Sequence, residues 1–197
     1  MIKLITLIFF LNLSPVLAKD LEPIDIVKKT VSEVLETIQN DEEIKAGNKA
    51  KIIEIVKEKV NPFVDFERMT RLAVGRPWKE TTEIQKSRLI DLFNKLLINS
   101  YAAAFSNYLG IVIEVGSQKI NGERGTVMSK VRLPGGVPPL SIEYDFLYNN
   151  SWKLFDVKID GSSMVINYRS MFSQTIATSG IDGLLEMLEK KLNETDY

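Results

Sequence analysis

The hydrophobic period of this chain switches at Gly110 from that of a helix to that of a strand, and switches back after Gly161. Before Gly110, apolar residues recur at helical spacing, as in the run Val27, Val31, Val34, Leu35 and Ile38. After it, they alternate with polar residues, most regularly over positions 140–149. Runs of helix followed by runs of strand indicate an α+β layer structure rather than alternating α/β units.

Four helices are predicted before the switch, over residues 25–39, 48–60, 64–74 and 83–109. The fourth begins with a capping box, in which Gln85 reaches back to Thr82, and Gly110 is placed to end it. Its apolar residues cover a wider arc than a half-exposed helix needs. This helix therefore either lies between two layers or borders a cavity.

Four strands follow, at residues 111–115, 124–133, 140–149 and 152–159, joined by short turns. Consecutive strands with short connections form an antiparallel meander, which can be apolar on one face and polar on the other. Two more helices are predicted after Gly161. The expected fold is α+β, with a helical part at about 24–110, a four-stranded meander sheet at about 111–160 and C-terminal helices at about 163–193.

The first 18 residues have the pattern of a secretory signal peptide. Lys3 supplies a positive charge, positions 4–13 form an apolar run, and Ala18 precedes the predicted cleavage point. The run is shorter than the roughly 20 residues that a membrane-spanning helix needs. We expect export and a single mature domain over 19–197. The chain has no cysteine, so neither a disulfide framework nor an acylated cysteine anchor is expected.

Composition excludes several classes of function. With 25 basic and 26 acidic residues, the chain lacks the positive excess of a nucleic-acid-binding protein. It also lacks histidine and cysteine, so the commonest general base, metal ligand and thiol nucleophile are missing. The carboxylates have no metal-binding spacing, and the glycines have no phosphate-binding order. We predict no catalytic residue, no metal and no cofactor.

Aromatic residues are frequent on the segments expected to face one another across the helix–sheet layer. Each alone fits ordinary core packing, whereas the set, with its tyrosines, also fits a hydrophobic pocket. An isomerase-like enzyme using Tyr144 and Asp156 in a compact cavity is one alternative. An exported adaptor with a solid core and an exposed apolar patch is another. The volume of the cavity discriminates between these hypotheses.

Two long motifs stand out in the chain. The first combines a Pro, an Asp-Phe, a Gly-x-x-Trp and a Gln that opens a long helix, at Pro62, Asp65, Phe66, Gly75, Trp78 and Gln85. The second combines Trp-Lys, Asp-Val, Asp-Gly-x-Ser and Asn-Tyr-Arg-x-x-Phe, at Trp152, Lys153, Asp156, Val157, Asp160, Gly161, Ser163, Asn167, Tyr168, Arg169 and Phe172. Together they resemble the patterns of the MlaC, or toluene-tolerance, family of periplasmic phospholipid-binding proteins. The similarity covers almost the whole mature chain, and neither motif is catalytic.

This resemblance implies a soluble, non-enzymatic carrier in the periplasm of a Gram-negative bacterium. Such a carrier passes phospholipid between an inner-membrane transporter complex and an outer-membrane lipoprotein complex, and so maintains outer-membrane lipid asymmetry. It implies no nucleic acid and no stable membrane insertion of the mature chain. Two acyl chains hold roughly 30 methylenes at about 0.8 kcal/mol each, so a lone lipid crossing water faces about 24 kcal/mol. A cavity that takes both chains removes most of that barrier.

Side chains alternate between the two faces of a strand, and apolar residues mark one face of a helix. These two patterns select the residues expected to line the cavity between sheet and helices. They are Tyr101, Phe105, Tyr108, Ile142, Tyr144, Phe146, Val165 and Tyr168. The alternation does not decide which face of the strand at 152–159 points toward the cavity, because Leu154 lies on one face and Phe155, Val157 and Ile159 lie on the other. Arg169 is the candidate for a lipid head group. The alternative is that Arg169 pairs with a carboxylate such as Asp160 and fixes the turn between strand and helix.

Overall fold

The computed structural model describes residues 21–46, 48–106 and 110–195, so the predicted signal peptide lies outside it. The helices within these ranges are α1 (Pro23–Asn40), α2 (Glu42–Lys45), α3 (Lys49–Lys59), α4 (Phe66–Val74), α5 (Glu83–Ser106) and α6 (Met164–Thr195). Short 3₁₀ segments, Asn61–Phe63 and Arg76–Lys79, flank α4. None of these described helices is both long enough and apolar enough to cross a membrane.

The sheet follows the predicted antiparallel meander, with its strands paired in chain order. The strands are β1 (Val112–Asn121), β2 (Arg124–Arg132), β3 (Leu140–Asn149), β4 (Ser151–Ile159) and β5 (Ser162–Ser163). The α+β class is confirmed, whereas the prediction of four strands was wrong. Asp160 and Gly161, at φ of 47° and 79°, turn the chain back at once, so that β5 pairs with the end of β4. Two residues are too few to leave an alternation in the sequence.

The two predicted C-terminal helices are joined in α6, which is kinked at Gly180. Gly180 has φ of 67° and ψ of −167°, a conformation that a residue without Cβ adopts at little cost. α6 packs against α4 and α5. Polar contacts hold α6 to α5 at the surface, since Gln85 Nε2 donates to Asp182 Oδ1 at 2.8 Å and Arg88 Nε donates to Glu189 Oε1 at 3.0 Å.

Side chains accept hydrogen bonds from backbone N–H groups at the starts of α2, α3, α4, α5 and α6, whereas the N-cap residue of α1 makes no such bond. At α5, the capping box forms as predicted: the Gln85 N–H donates to Thr82 Oγ1 at 3.3 Å, and the Thr82 N–H donates to Gln85 Oε1 at 3.1 Å. Asp65 caps α4 by accepting from the Arg68 N–H at 2.9 Å. These short-range contacts fix where the helices begin.

Apolar side chains form a solid helical core beside the sheet. α4, α5 and α6 meet around Phe93, Phe172, Leu184 and Leu188, each fully buried. Phe93 and Phe172 have their ring centroids 5.2 Å apart in an edge-on arrangement. Separate apolar clusters lie between α1 and the sheet and between α1, α2 and α3. The core of the described residues is therefore divided into separate clusters, one of which joins α1 to the sheet.

The N-terminal end of α1 is fixed on the sheet. The Ile24 N–H donates to Gln118 Oε1 at 3.1 Å, and Gln118 Nε2 donates to Glu22 Oε2 at 2.7 Å. Pro23 packs over Gly125 of β2, where a Cβ would stand 2.8 Å from the Pro23 Cγ and 3.2 Å from the Trp152 ring. Only glycine leaves room for this contact, and α1 is thereby held over the apolar face of the sheet.

We predict that Gly125→Ala lowers the free energy of unfolding by about 1–3 kcal/mol, because the added methyl group overlaps the rigid Pro23 ring. Urea denaturation monitored by circular dichroism measures the change. The matched test is Gly125→Ala in a Pro23→Ala background, where the ring is gone and the cost should be smaller. An equal cost in both backgrounds would show that the contact is not the cause.

Candidate functional site

A cavity of about 460 Å³ lies between the inner face of the sheet and the helices. The helical side of its wall comes from α1, α3, α4, α5, the 3₁₀ segment before α4 and the first residue of α6. These elements are represented by Val27, Val31, Val34, Val56, Phe63, Met69, Leu97, Ile98 and Met164. The sheet side comes from all four long strands and the residue before β1, with Ile111, Ile113, Val131, Leu140, Ile142, Tyr144, Phe146, Leu154, Val157 and Ile159. Among the described residues, no charged side chain lines it. Such a wall suits hydrocarbon rather than a charged ligand.

A β-bulge decides which residues of β4 face the cavity. Asp145 pairs with Asp156, but Phe146 pairs with Leu154, so Phe155 is an extra residue in β4. The extra residue shifts the alternation, and Leu154 and Val157 both reach the wall. This resolves the ambiguity that simple parity left over 152–159. Phe155 instead packs against the helical core, with the Arg68 guanidinium 5.9 Å from its ring centroid.

Polar groups on the wall are few. The Tyr144 phenol accepts a hydrogen bond from Ser129 Oγ at 3.3 Å. Burial raises the pKa of Tyr144 above its ordinary value of 10.0, and the Ser129 contact opposes that shift. Burial also raises the pKa of Tyr101. Thr30 Oγ1 and Asn61 Oδ1, on residues that line the cavity, are buried with no hydrogen-bond partner among the described residues.

The structure brings together half of the eight residues predicted to line the cavity. Those on its wall are Tyr101, Ile142, Tyr144 and Phe146. Val165 and Tyr168 lie instead in the helical core, where the Tyr168 ring is 4.9 Å from that of Phe93. α6 turns this face toward α5 rather than toward the sheet. The side chain of Phe105, and Tyr108 as a whole, lie outside the described residues.

Sequence reasoning missed the contribution of α1 to the wall. Val27, Val31 and Val34 line the cavity, yet their helical stripe was assigned no binding role. The stripe itself was the available signal, since the apolar face of an amphipathic helix must be removed from water. Periodicity does not show whether that face packs against other side chains or lines a cavity.

The predicted ion pair between Arg169 and Asp160 does not form. The Asp160 carboxylate accepts from the Ser141 N–H at 2.8 Å, closing the turn after β4. The Arg169 guanidinium lies at the C-terminal end of α4, 3.3 Å from where a Cβ on Gly75 would stand. A cation is favourable there because a helix C-terminus carries partial negative charge.

Asp156, proposed with Tyr144 for the enzyme alternative, has a structural role. Its carboxylate accepts from Ser163 Oγ at 2.5 Å and from the N–H groups of Val165 at 3.1 Å and Val157 at 2.9 Å. These bonds hold the first turn of α6, and Asp156 is absent from the described cavity wall. The described residues also contain no cluster of three or more carboxylates that could hold a metal ion.

The cavity has room for about one long hydrocarbon chain. A methylene occupies about as much volume as a water molecule, roughly 30 Å³, so 460 Å³ accommodates about 15 methylenes. The expectation that both chains of a lipid are buried stays a prediction.

Comparisons with known proteins agree on one family. The family model described as MlaC protein matches residues 28–190. The chain is 24% identical over 145 residues to the intermembrane phospholipid transport system binding protein MlaC of Haemophilus influenzae, covering 71% of this chain and 68% of that protein. It is also similar to a solved structure, the phospholipid-binding protein from Ralstonia solanacearum in complex with a phospholipid. That match has a TM-score of 0.79 and 29% identity, over 87% of this chain and 97% of the other.

We predict that Tyr144→Phe makes the alkaline loss of stability shallower. Burial keeps the folded-state pKa of Tyr144 above 10.0, so the folded chain binds more protons than the unfolded chain above that pH. The contribution of Tyr144 is fully present below the unfolded pKa, at about pH 10, and is lost as pH rises through the folded pKa. Urea denaturation between about pH 8 and pH 11 gives the slope of the unfolding free energy against pH for the wild type and for Tyr144→Phe. Equal slopes would contradict the assignment of a raised pKa to Tyr144.

Proposed function

Because this chain belongs to the MlaC family, we propose that it binds a phospholipid by burying an acyl chain in the cavity between sheet and helices. The observation that carries this proposal is the wall itself, which is apolar apart from a few neutral polar groups and free of charged side chains among the described residues. The relatives point the same way, since one is a binding protein of a phospholipid transport system and another holds a phospholipid.

The hydrophobic effect supplies the affinity. About 15 buried methylenes at roughly 0.8 kcal/mol each are worth about 12 kcal/mol, before the cost of ordering the chain. A phosphate inside this wall would lose its hydration without gaining a partner, so the head group stays in water. A carrier of this kind binds the acyl chain of its ligand, and the cavity does not discriminate between lipid head groups.

The role that follows is transport between membranes. We propose that the mature chain, residues 19–197, is a single lipid-binding domain that works in the periplasm of a Gram-negative bacterium. There it exchanges phospholipid with an inner-membrane transporter complex and an outer-membrane lipoprotein complex. Support comes from the signal-peptide pattern of residues 1–18 and from the transport system named for the Haemophilus influenzae relative. The site needs no reacting group, so the proposed function is non-enzymatic.

Within this proposal, Tyr101, Ile142, Tyr144 and Phe146 contact the buried chain from the two sides of the cavity. Phe105, Tyr108, Val165 and Tyr168 stay predictions. Arg169 also stays a prediction as the head-group residue, although its position beside Gly75 already gives it a structural role.

We predict that the protein purified from bacterial cells carries phospholipid and that Ile142→Trp carries less. Ile142 is buried on β3 at the cavity wall, so an indole there fills part of the space that the acyl chain needs. Lipid extraction with mass spectrometry, normalised to protein, measures the occupancy. We expect a severalfold loss.

The matched control is Met128→Trp on the neighbouring strand. Met128 is 49% exposed and absent from the described wall, so the same indole there should leave lipid occupancy unchanged. Thermal melts of both variants show whether they remain folded. Lipid-free wild-type protein, or undiminished lipid in folded Ile142→Trp, would count against the proposed function.

A further inference from the structure

We propose that the Tyr144 hydroxyl donates a hydrogen bond to an ester carbonyl of the bound lipid, so that the cavity selects ester-linked over ether-linked lipids. This inference rests on the proposed function and adds a chemical selection that an apolar wall alone does not provide. It assigns Tyr144 a polar role in addition to the contact of its ring with hydrocarbon.

The Tyr144 hydroxyl proton is available to donate a hydrogen bond to a ligand. Tyr144 and Ser129 have one hydroxyl proton each, and a single hydrogen bond, 3.3 Å between Ser129 Oγ and Tyr144 Oη, joins them. Ser129 donates in this bond and is only 5% exposed. The Tyr144 proton has no acceptor among the described residues. A buried donor without an acceptor costs free energy that a suitable ligand atom would recover.

The surroundings of Tyr144 show what that atom can be. Tyr144 lies in the middle of the sheet wall, paired with Val127 on β2 and with Val157 on β4. No charged side chain lines the cavity among the described residues, so a phosphate oxygen is a poor candidate. The acceptors next to the acyl chains of a diacyl phospholipid are its ester carbonyls. Burying a chain brings its carbonyl toward the wall, where a neutral phenol can meet it.

A change of linkage tests the assignment without changing chain length or head group. A dialkyl ether phospholipid lacks both carbonyl oxygens, so it would leave the Tyr144 proton without an acceptor. Sites built to hydrogen-bond a ligand reject analogues that lack the partner atom, because their own polar group is then left unpaired. We expect wild-type protein to prefer the ester lipid by about tenfold.

The experiment offers the purified mature chain an equimolar mixture of dipalmitoyl phosphatidylethanolamine and its dihexadecyl ether analogue in mixed vesicles. Native mass spectrometry then gives the ratio of the two bound lipids. Tyr144→Phe keeps the ring and removes the hydroxyl, so its ratio should fall to about one. Tyr148→Phe makes the same deletion on the same strand at a residue absent from the described wall, and it should keep the wild-type ratio.

Each outcome decides a different claim. An ester preference in wild type and Tyr148→Phe that is lost in Tyr144→Phe supports the inference. Equal uptake of both lipids by wild type, or an unchanged preference in Tyr144→Phe, overturns it while leaving the proposed lipid binding intact. Uptake of neither lipid overturns the proposed function and the inference with it. The wild-type ratio is informative even if a variant fails to fold.

Discussion

The structure depends on keeping an apolar space open between a sheet and its helices. Apolar walls that remain in contact with water forgo about 25 cal/mol per Å² that an apolar occupant would recover by burying them. A chain with such a cavity needs both rigid walls and an occupant that contacts them. The meander supplies the wall on one side, and the helices supply it on the other, with α1 fixed to β2 through Pro23 and Gly125.

Much of the helical core contributes to stability rather than to the cavity wall. Phe93, Phe172, Leu184 and Leu188 are absent from the described wall, whereas Met69 and Leu97 belong to both the core and the wall. Several residues of the two family motifs serve this core rather than the ligand. Trp78 is buried in it, and Asp156 and Ser163 together cap α6 at the point where sheet and helix meet. These motif residues therefore stabilise the scaffold, whereas two other motif residues, Phe66 and Val157, line the cavity.

The features of the fold that depend on local sequence patterns were predicted correctly. Periodicity predicted the main helices and the meander, and the Thr82–Gln85 capping box formed as expected. β5 and the bulge at Phe155 were missed because neither leaves an alternation in the sequence. The sequence also did not show which neighbour the aromatic face of α6 packs against. Tyr168 contacts Phe93 because α6 packs on α5. The predictions for Ile142, Tyr144 and Phe146 placed them on the cavity wall because strand parity fixes which face they share.

The most direct test of the central claim is a crystal structure of the protein as purified from bacterial cells, without added lipid. Continuous electron density of an acyl chain between β3 and α1, in contact with Ile142 and Val31, is the predicted result. Side chains closed over that space, or a cavity that holds only water, would contradict the claim that hydrocarbon keeps the walls apart.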